Sequence, residues 1–192
     1  MLVEKEAYLT AGIHIGMKSC TKYMKNFVYK VRSDGLAVFN IQKVDERISI
    51  AANFLHRFKK IMVVSRKENG IKAVTKFAEI IGGKAVTGRF LPGTLTNPSF
   101  KDFYEPDVIM VVDPLIDKQA VEEARKKKLP IVALCDTFND CVDIDLVIPA
   151  NNNGKKSLAL IFWLLAREIL KKRGEIKNDN EFKYTLKDFG GE

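Results

Sequence analysis

Two carboxylates in matching positions raise a catalytic possibility. Asp113 closes the apolar run VIMVVD and Asp136 closes IVALCD. In an open parallel sheet both would stand at strand carboxyl ends, where the ligands of such sheets bind. A carboxylate pair there could hold Mg²⁺ against a sugar or nucleotide phosphate. Asp is also a common strand-ending and capping residue, and that reading is preferred. A second string, Asn153-Gly154-Lys155-Lys156-Ser157, opens a predicted helix like a phosphate-cradling turn. It lacks the upstream Gly of a Walker loop, and no GxGxxG follows a predicted strand, so an Asn/Gly helix cap accounts for it. His14, flanked by Ile and Gly, has no nucleophile with a matching acid nearby and reads as a structural residue. His56 falls on the polar side of a predicted helix. Cys20, Cys135 and Cys141 form no CxxC pair, so neither a zinc ribbon nor a disulfide framework is expected. Catalytic, cofactor and metal residues are all expected to be absent.

The cations say more. Lys and Arg number 32 against 24 Asp and Glu, a net charge of +8, which favours a polyanionic partner and nucleic acid first. Lys18, Lys22, Lys25, Lys30 and Arg32 cluster early and interleave with Tyr23, Phe27 and Tyr29. Lys and Arg fix a protein on folded RNA through phosphates, and aromatic rings stack on exposed bases. Arg66 and Lys67 follow a predicted strand. Arg89 lies in residues 87–98, TGRFLPGTLTNP, with Thr96 and Asn97 further along. That loop has no carboxylate, and its Pro and Gly residues suit a rigid docking shape.

These residues need a frame. Residues 61–65, 84–86, 108–113, 131–135 and 146–148 read as short apolar strands, and helices are predicted at 43–58, 71–81, 116–128 and 155–172. The alternation implies right-handed crossovers and a mostly parallel, five-stranded sheet in a three-layer α/β/α domain. Residues 27–31 and 36–41 make an N-terminal hairpin turning at Ser33-Asp34-Gly35. Residues 12–26 show no period. The expected organisation is one domain over 1–173 and a polar tail over 174–192, whose Phe182, Tyr184 and Phe189 dock on this domain or on a protein neighbour. The longest apolar stretch, residues 158–166, has nine residues, against about 20 for a bilayer crossing. The N-terminal charges do not suit a signal peptide, so a cytoplasmic protein is expected.

The segments AGIHIG (11–16), KNFVYKVRSDGLAVFNIQKVDERI (25–48), GRFLPGTLTNP (88–98), EPDVIMVVDP (105–114), PIVALCDT (130–137) and DLVIPANNNGKKSLALIFWLLAREIL (145–170) closely resemble the ribosomal protein S-two family of the small subunit, in its archaeal and eukaryotic form. The resemblance implies a flavodoxin-like domain with no catalysis. It implies binding to small-subunit rRNA between head and body, beside other small-subunit ribosomal proteins. It implies neither a membrane nor a small-molecule substrate. It makes residues 87–98 a docking loop with Arg89 as phosphate contact. The helical hairpin that the bacterial branch inserts is not expected, because too few residues separate the predicted hairpin from the first long helix. The alternative that fold alone leaves open is a Mg²⁺-dependent enzyme using Asp113 and Asp136.

Overall fold

The computed structural model describes residues 1–191. The chain runs α1 (Lys5–Thr10), β1 (Val28–Val31), β2 (Ala37–Phe39), α2 (Ile41–Leu55), β3 (Ile61–Ser65), α3 (Glu68–Ile81), β4 (Lys84–Thr87), β5 (Val108–Val111), α4 (Lys118–Lys126), β6 (Ile131–Cys135), β7 (Leu146–Pro149) and α5 (Lys155–Arg173), with short 3-10 turns at Met24–Phe27 and Asp179–Glu181. The five-stranded parallel sheet has the order β4-β3-β5-β6-β7. Val63 pairs with Ala85 on one side and Met110 on the other, and Ala133 pairs with Val111 and Val147. Strands β3, β5 and β6 are buried along their whole length, as β-branched runs covered on both faces should be. Strand order turns at β3, so right-handed crossovers put α3 and α4 on opposite faces. This is the three-layer, flavodoxin-like arrangement.

α5 anchors one face. It packs on α2 and α3, and Leu158 to Ala166 are buried apart from Trp163, which is half-buried. A helix apolar nearly all round belongs inside a fold. It ends where Gly174 turns to φ 77° and Glu175 N–H donates to the Leu170 carbonyl, a left-handed C-terminal cap. α2 begins at Ile41, earlier than the apolar stripe suggests, because the Asn40 side chain accepts from Gln42 N–H. β5 stops at Val111, short of the expected Asp113.

The hairpin β1–β2 is antiparallel. Its far edge is covered by residues 14–17: Ile15 bridges Val38, Gly16 N–H donates to Ala37 O, and Phe39 N–H donates to His14 O. The period-free segment 12–26 is therefore ordered by pairing with distant backbone rather than by its own pattern.

The tail folds back onto its own domain. Phe189 is 1% exposed and Phe182 8%; Trp163 Nε1 donates to Tyr184 O at 2.8 Å and meets Phe182 edge-on. Asp179 pairs with Arg167 and Lys171. Of the two expected dockings for Phe182, Tyr184 and Phe189, on this domain or on a protein neighbour, the structure has the tail against its own domain, where α5 offers apolar surface within reach. Among the described residues no helix is long and apolar enough to cross a membrane.

Phe189→Ala should lower the unfolding free energy by about 3 kcal/mol, the cost of emptying a buried aromatic site. Urea denaturation measures it, and a change below about 0.5 kcal/mol would mean that the tail contributes no packing.

Candidate nucleic-acid interface

At the carboxyl ends of the strands one lysine gathers a polar knot. Lys67 Nζ lies 2.7 Å from Asp113 Oδ2 and donates to Asn152 O, Asn152 Oδ1 and Asn153 Oδ1 at 2.7–3.1 Å. Asp113 Oδ1 accepts from Leu115 N–H and Asn139 Nδ2. Asn152, fully buried, donates to the carbonyls of Val112 and Leu134 and to Asn139 Oδ1. Asp136 accepts from Thr137 N–H and Asn153 Nδ2. Asp113 Oδ1 and both oxygens of Asp136 are thus engaged by the frame, and Asp113 Oδ2 already faces the Lys67 cation. The two carboxylates do not fit the Mg²⁺ reading. The Asn-Gly string is equally accounted for: Asn151 Oδ1 accepts from the N–H of Asn153 and Gly154, and Ser157 Oγ donates to Asn151 O. No cluster of His, Cys, Asp or Glu suited to a metal occurs among the described residues.

A second buried carboxylate shapes the loop after β4. Glu123 of α4 accepts from Gly93 N–H at 2.7 Å, Leu95 N–H at 3.0 Å, Thr96 Oγ1 at 3.2 Å and Gln119 Nε2 at 2.9 Å. Burial pushes its pKa up, but these donors outweigh it and hold the carboxyl below its ordinary value. Gly93 adopts φ 96°, a left-handed conformation that lets its N–H face the carboxylate. Phe90 and Leu95 anchor the loop in the core. No motif or charge cluster in the sequence marks Glu123. Its signal was position: it follows Ala120 by three residues and precedes Ala124 on the buried side of α4, where an acid needs partners.

The clamp leaves Arg89 outside. Arg89 and Arg66 are both exposed, have no ion-pair partner among the described residues, and line one cleft of about 190 Å³ with Phe90, Pro92, Ile116, Asp117 and Gln119. Asp117 forms its floor. It is 3% exposed, accepts from Arg66 N–H at 3.1 Å, and burial raises its pKa to about 6. Lys67, next to Arg66, points the other way, and its ammonium is spent on the knot. Thr96 is held by Glu123, and Asn97 Oδ1 accepts from Ser99 N–H; both stay on the exposed side of the loop.

The early cations are carried on the same end of the sheet. Met17 N–H donates to Thr137 Oγ1, Thr21 N–H to Thr137 O, and Asn151 N–H to Ile13 O. A Cβ on Gly16 would stand 2.5 Å from Thr137, so only glycine permits this approach. Lys18, Lys22, Lys25, Lys30 and Arg32 are all exposed; of these only Arg32 has an acidic partner among the described residues, Asp34 at 3.3 Å. Of the interleaved rings, Tyr23 and Phe27 touch each other and Arg47 covers Phe27, whereas Tyr29 is 71% exposed. Cys135 is core, and Cys141 Sγ lies 3.6 Å from Met24 Sδ. His14 is half-buried, and burial lowers its pKa. His56 is half-buried too, with Nδ1 shielded from solvent.

The fold and this surface define an α/β/α domain whose strand ends are filled by its own polar side chains and carry exposed lysines and arginines, as in a binder of polyanions. The chain belongs to the family described as Ribosomal protein S2, which matches residues 8–102 and 99–172. Among its relatives is the small ribosomal subunit protein uS2 of Ignicoccus hospitalis, 53% identical over 182 residues, 93% of this chain and 86% of the relative. That of Staphylothermus marinus is 53% identical over 183 residues, 94% and 83%. That of Thermoplasma acidophilum is 48% identical over 191 residues, 98% and 96%.

Glu123→Gln keeps the shape but turns one acceptor into a donor, leaving an N–H of the loop unpaired. Stability should fall by about 1–3 kcal/mol, with faster hydrogen exchange at Gly93 and Leu95. Unchanged exchange would show that the loop does not depend on Glu123. Asp117 adds a pH signature. Its folded-state pKa, about 6 against an ordinary 3.8, means that its contribution is full below pH 4 and is lost as pH rises through 6. The stability difference between wild type and Asp117→Asn should therefore change by roughly 2 kcal/mol between pH 4 and 7. A flat difference would place the group in water.

Proposed function

We propose that this chain is a structural, non-enzymatic constituent of the small ribosomal subunit. In this reading it is held on small-subunit rRNA between head and body and meets other ribosomal proteins there. Family membership and the names of the archaeal relatives support the assignment. The observation that carries the mode of binding is the convergence of Arg66 and Arg89 on one cleft, with no carboxylate partner for either guanidinium among the described residues. Guanidinium groups bind phosphate in bidentate fashion and stay charged at all relevant pH. The backbone beneath them is fixed by Asp117 under Arg66 and by Glu123 under the loop of Arg89, so little ordering entropy remains to be lost on docking. Lys18, Lys22, Lys25, Lys30 and Arg32 extend the positive surface along the N-terminal segment; Thr96 and Asn97 supply neutral hydrogen-bonding groups at the loop rim.

The test is the salt dependence of binding to small-subunit rRNA. Arg66→Ala and Arg89→Ala should each weaken binding at fixed salt and reduce the slope of log K against log [salt] by roughly 0.7–0.9, the share of one phosphate contact. Urea midpoints should stay at the wild-type value. Wild-type slope and affinity in both variants would remove the cleft from the interface.

A further inference from the structure

A second cavity lies apart from the arginine cleft. It measures about 500 Å³ and lies between α1 and the β1–β2 hairpin, within the range of small-ligand pockets. Its walls include the apolar side chains of Leu9, Ile15, Val38 and Ile41. Tyr29 stands at its side. Lys5, Lys30 and Arg32 stand around it, and among the described residues no carboxylate lines it. His14, Asn40 and Gln42 add hydrogen-bonding groups.

From this combination we infer that the pocket receives an unstacked nucleobase of the bound RNA, stacked on Tyr29, with the flanking phosphates against Lys30, Arg32 and Lys5. The inference rests on the rRNA-binding reading and names a subsite within it. Three features select a base over an apolar peptide side chain. First, Tyr29 is 71% exposed and lies on the hairpin rather than in the core, where a free ring face offers stacking to any base. Second, an apolar plug would cover the imidazole and amide groups without giving them partners, which is costly, whereas a base brings a polar edge. Third, Lys5 and Lys30 have no ion-pair partner among the described residues and Arg32 has only the exposed Asp34, a rim that matches a segment charged at every residue of its backbone. The pocket is also preformed. β2 is pinned between β1 and residues 14–17, so the site does not have to be built on binding. Recognition of single-stranded bases splayed from folded RNA commonly combines these parts: a ring, a polar edge and basic flanks.

The experiment compares full-length variants for binding to archaeal small-subunit rRNA and maps photocrosslinks from 4-thiouridine-substituted RNA. Tyr29→Ala should weaken binding by about fivefold or more. Its salt slope should equal the wild-type slope, because no phosphate contact is lost. Tyr29→Phe should bind as wild type, and crosslinks should fall within residues 28–42. If Tyr29→Ala binds as wild type while Arg66→Ala and Arg89→Ala weaken binding, the pocket inference fails and the rRNA reading stands. If the wild-type chain does not bind the RNA, both fail. If in assembled subunits the pocket crosslinks to a protein neighbour and not to RNA, its occupant is a peptide and the inference is overturned.

Discussion

The ion pair between Lys67 and Asp113 holds the carboxyl ends of the sheet together. Lys67 follows β3, Asp113 follows β5, Asn139 lies beyond β6, and Asn152 and Asn153 lie beyond β7. One ammonium thus ties together the ends of β3, β5 and β7, Asn139 adds β6 through Asp113, and Asn152 reaches back to the carbonyls of Val112 and Leu134. A buried charge pair adds little net stability compared with apolar packing, yet breaking one partner is expensive. Its effect here is geometric. The loops that leave the strands start from fixed points, and the surface they carry is rigid where a catalytic site would commonly have moving parts.

That arrangement explains how a fold suited to enzymes yields a binding surface. In open parallel sheets the crevice outside the strand ends is the usual ligand site. Here it is filled from within by the chain's own acids, amides and one lysine, and from above by residues 12–26 lying against Thr137 and Asn151. What remains outside is a rim of cations. The acids nearest the rim, Asp117 and Glu123, bind backbone N–H groups and do not cancel the arginines. They position the positive charge and leave it available.

Much of this was legible in the amino-acid sequence, for physical reasons. Ile61–Ser65, Val108–Val111 and Ile131–Cys135 are short β-branched runs buried on both faces, and no other element carries that pattern. α5 was evident from its apolar density. The site was legible only in part. Arg66 and Lys67 are adjacent cations, and no composition argument says which turns outward; the pairing of Lys67 with Asp113, forty-six residues on, decides it. Glu123 looked like one acid among several in a basic helix, because its partners are backbone groups about thirty residues earlier. The order in residues 12–26 comes from contacts more than a hundred residues distant, which no local period records. The tail aromatics were visible as misplaced apolar residues, but their partner was not, since a face of α5 and a neighbouring protein present the same chemistry.

The position of α5 has a consequence for biosynthesis. Its buried face completes the layer formed by α2 and α3, and Arg167 also holds the Leu2 carbonyl and Asp179. Among the described residues it is the last long helix in chain order. Until residue 173 has emerged, α2, α3 and one face of the sheet have nothing to pack against, and the nascent chain exposes both apolar surface and unneutralised cations. Such chains are prone to aggregate and depend on chaperones during synthesis. This layer is therefore expected to close late, with Leu2 and Asp179 brought to one helix as it does.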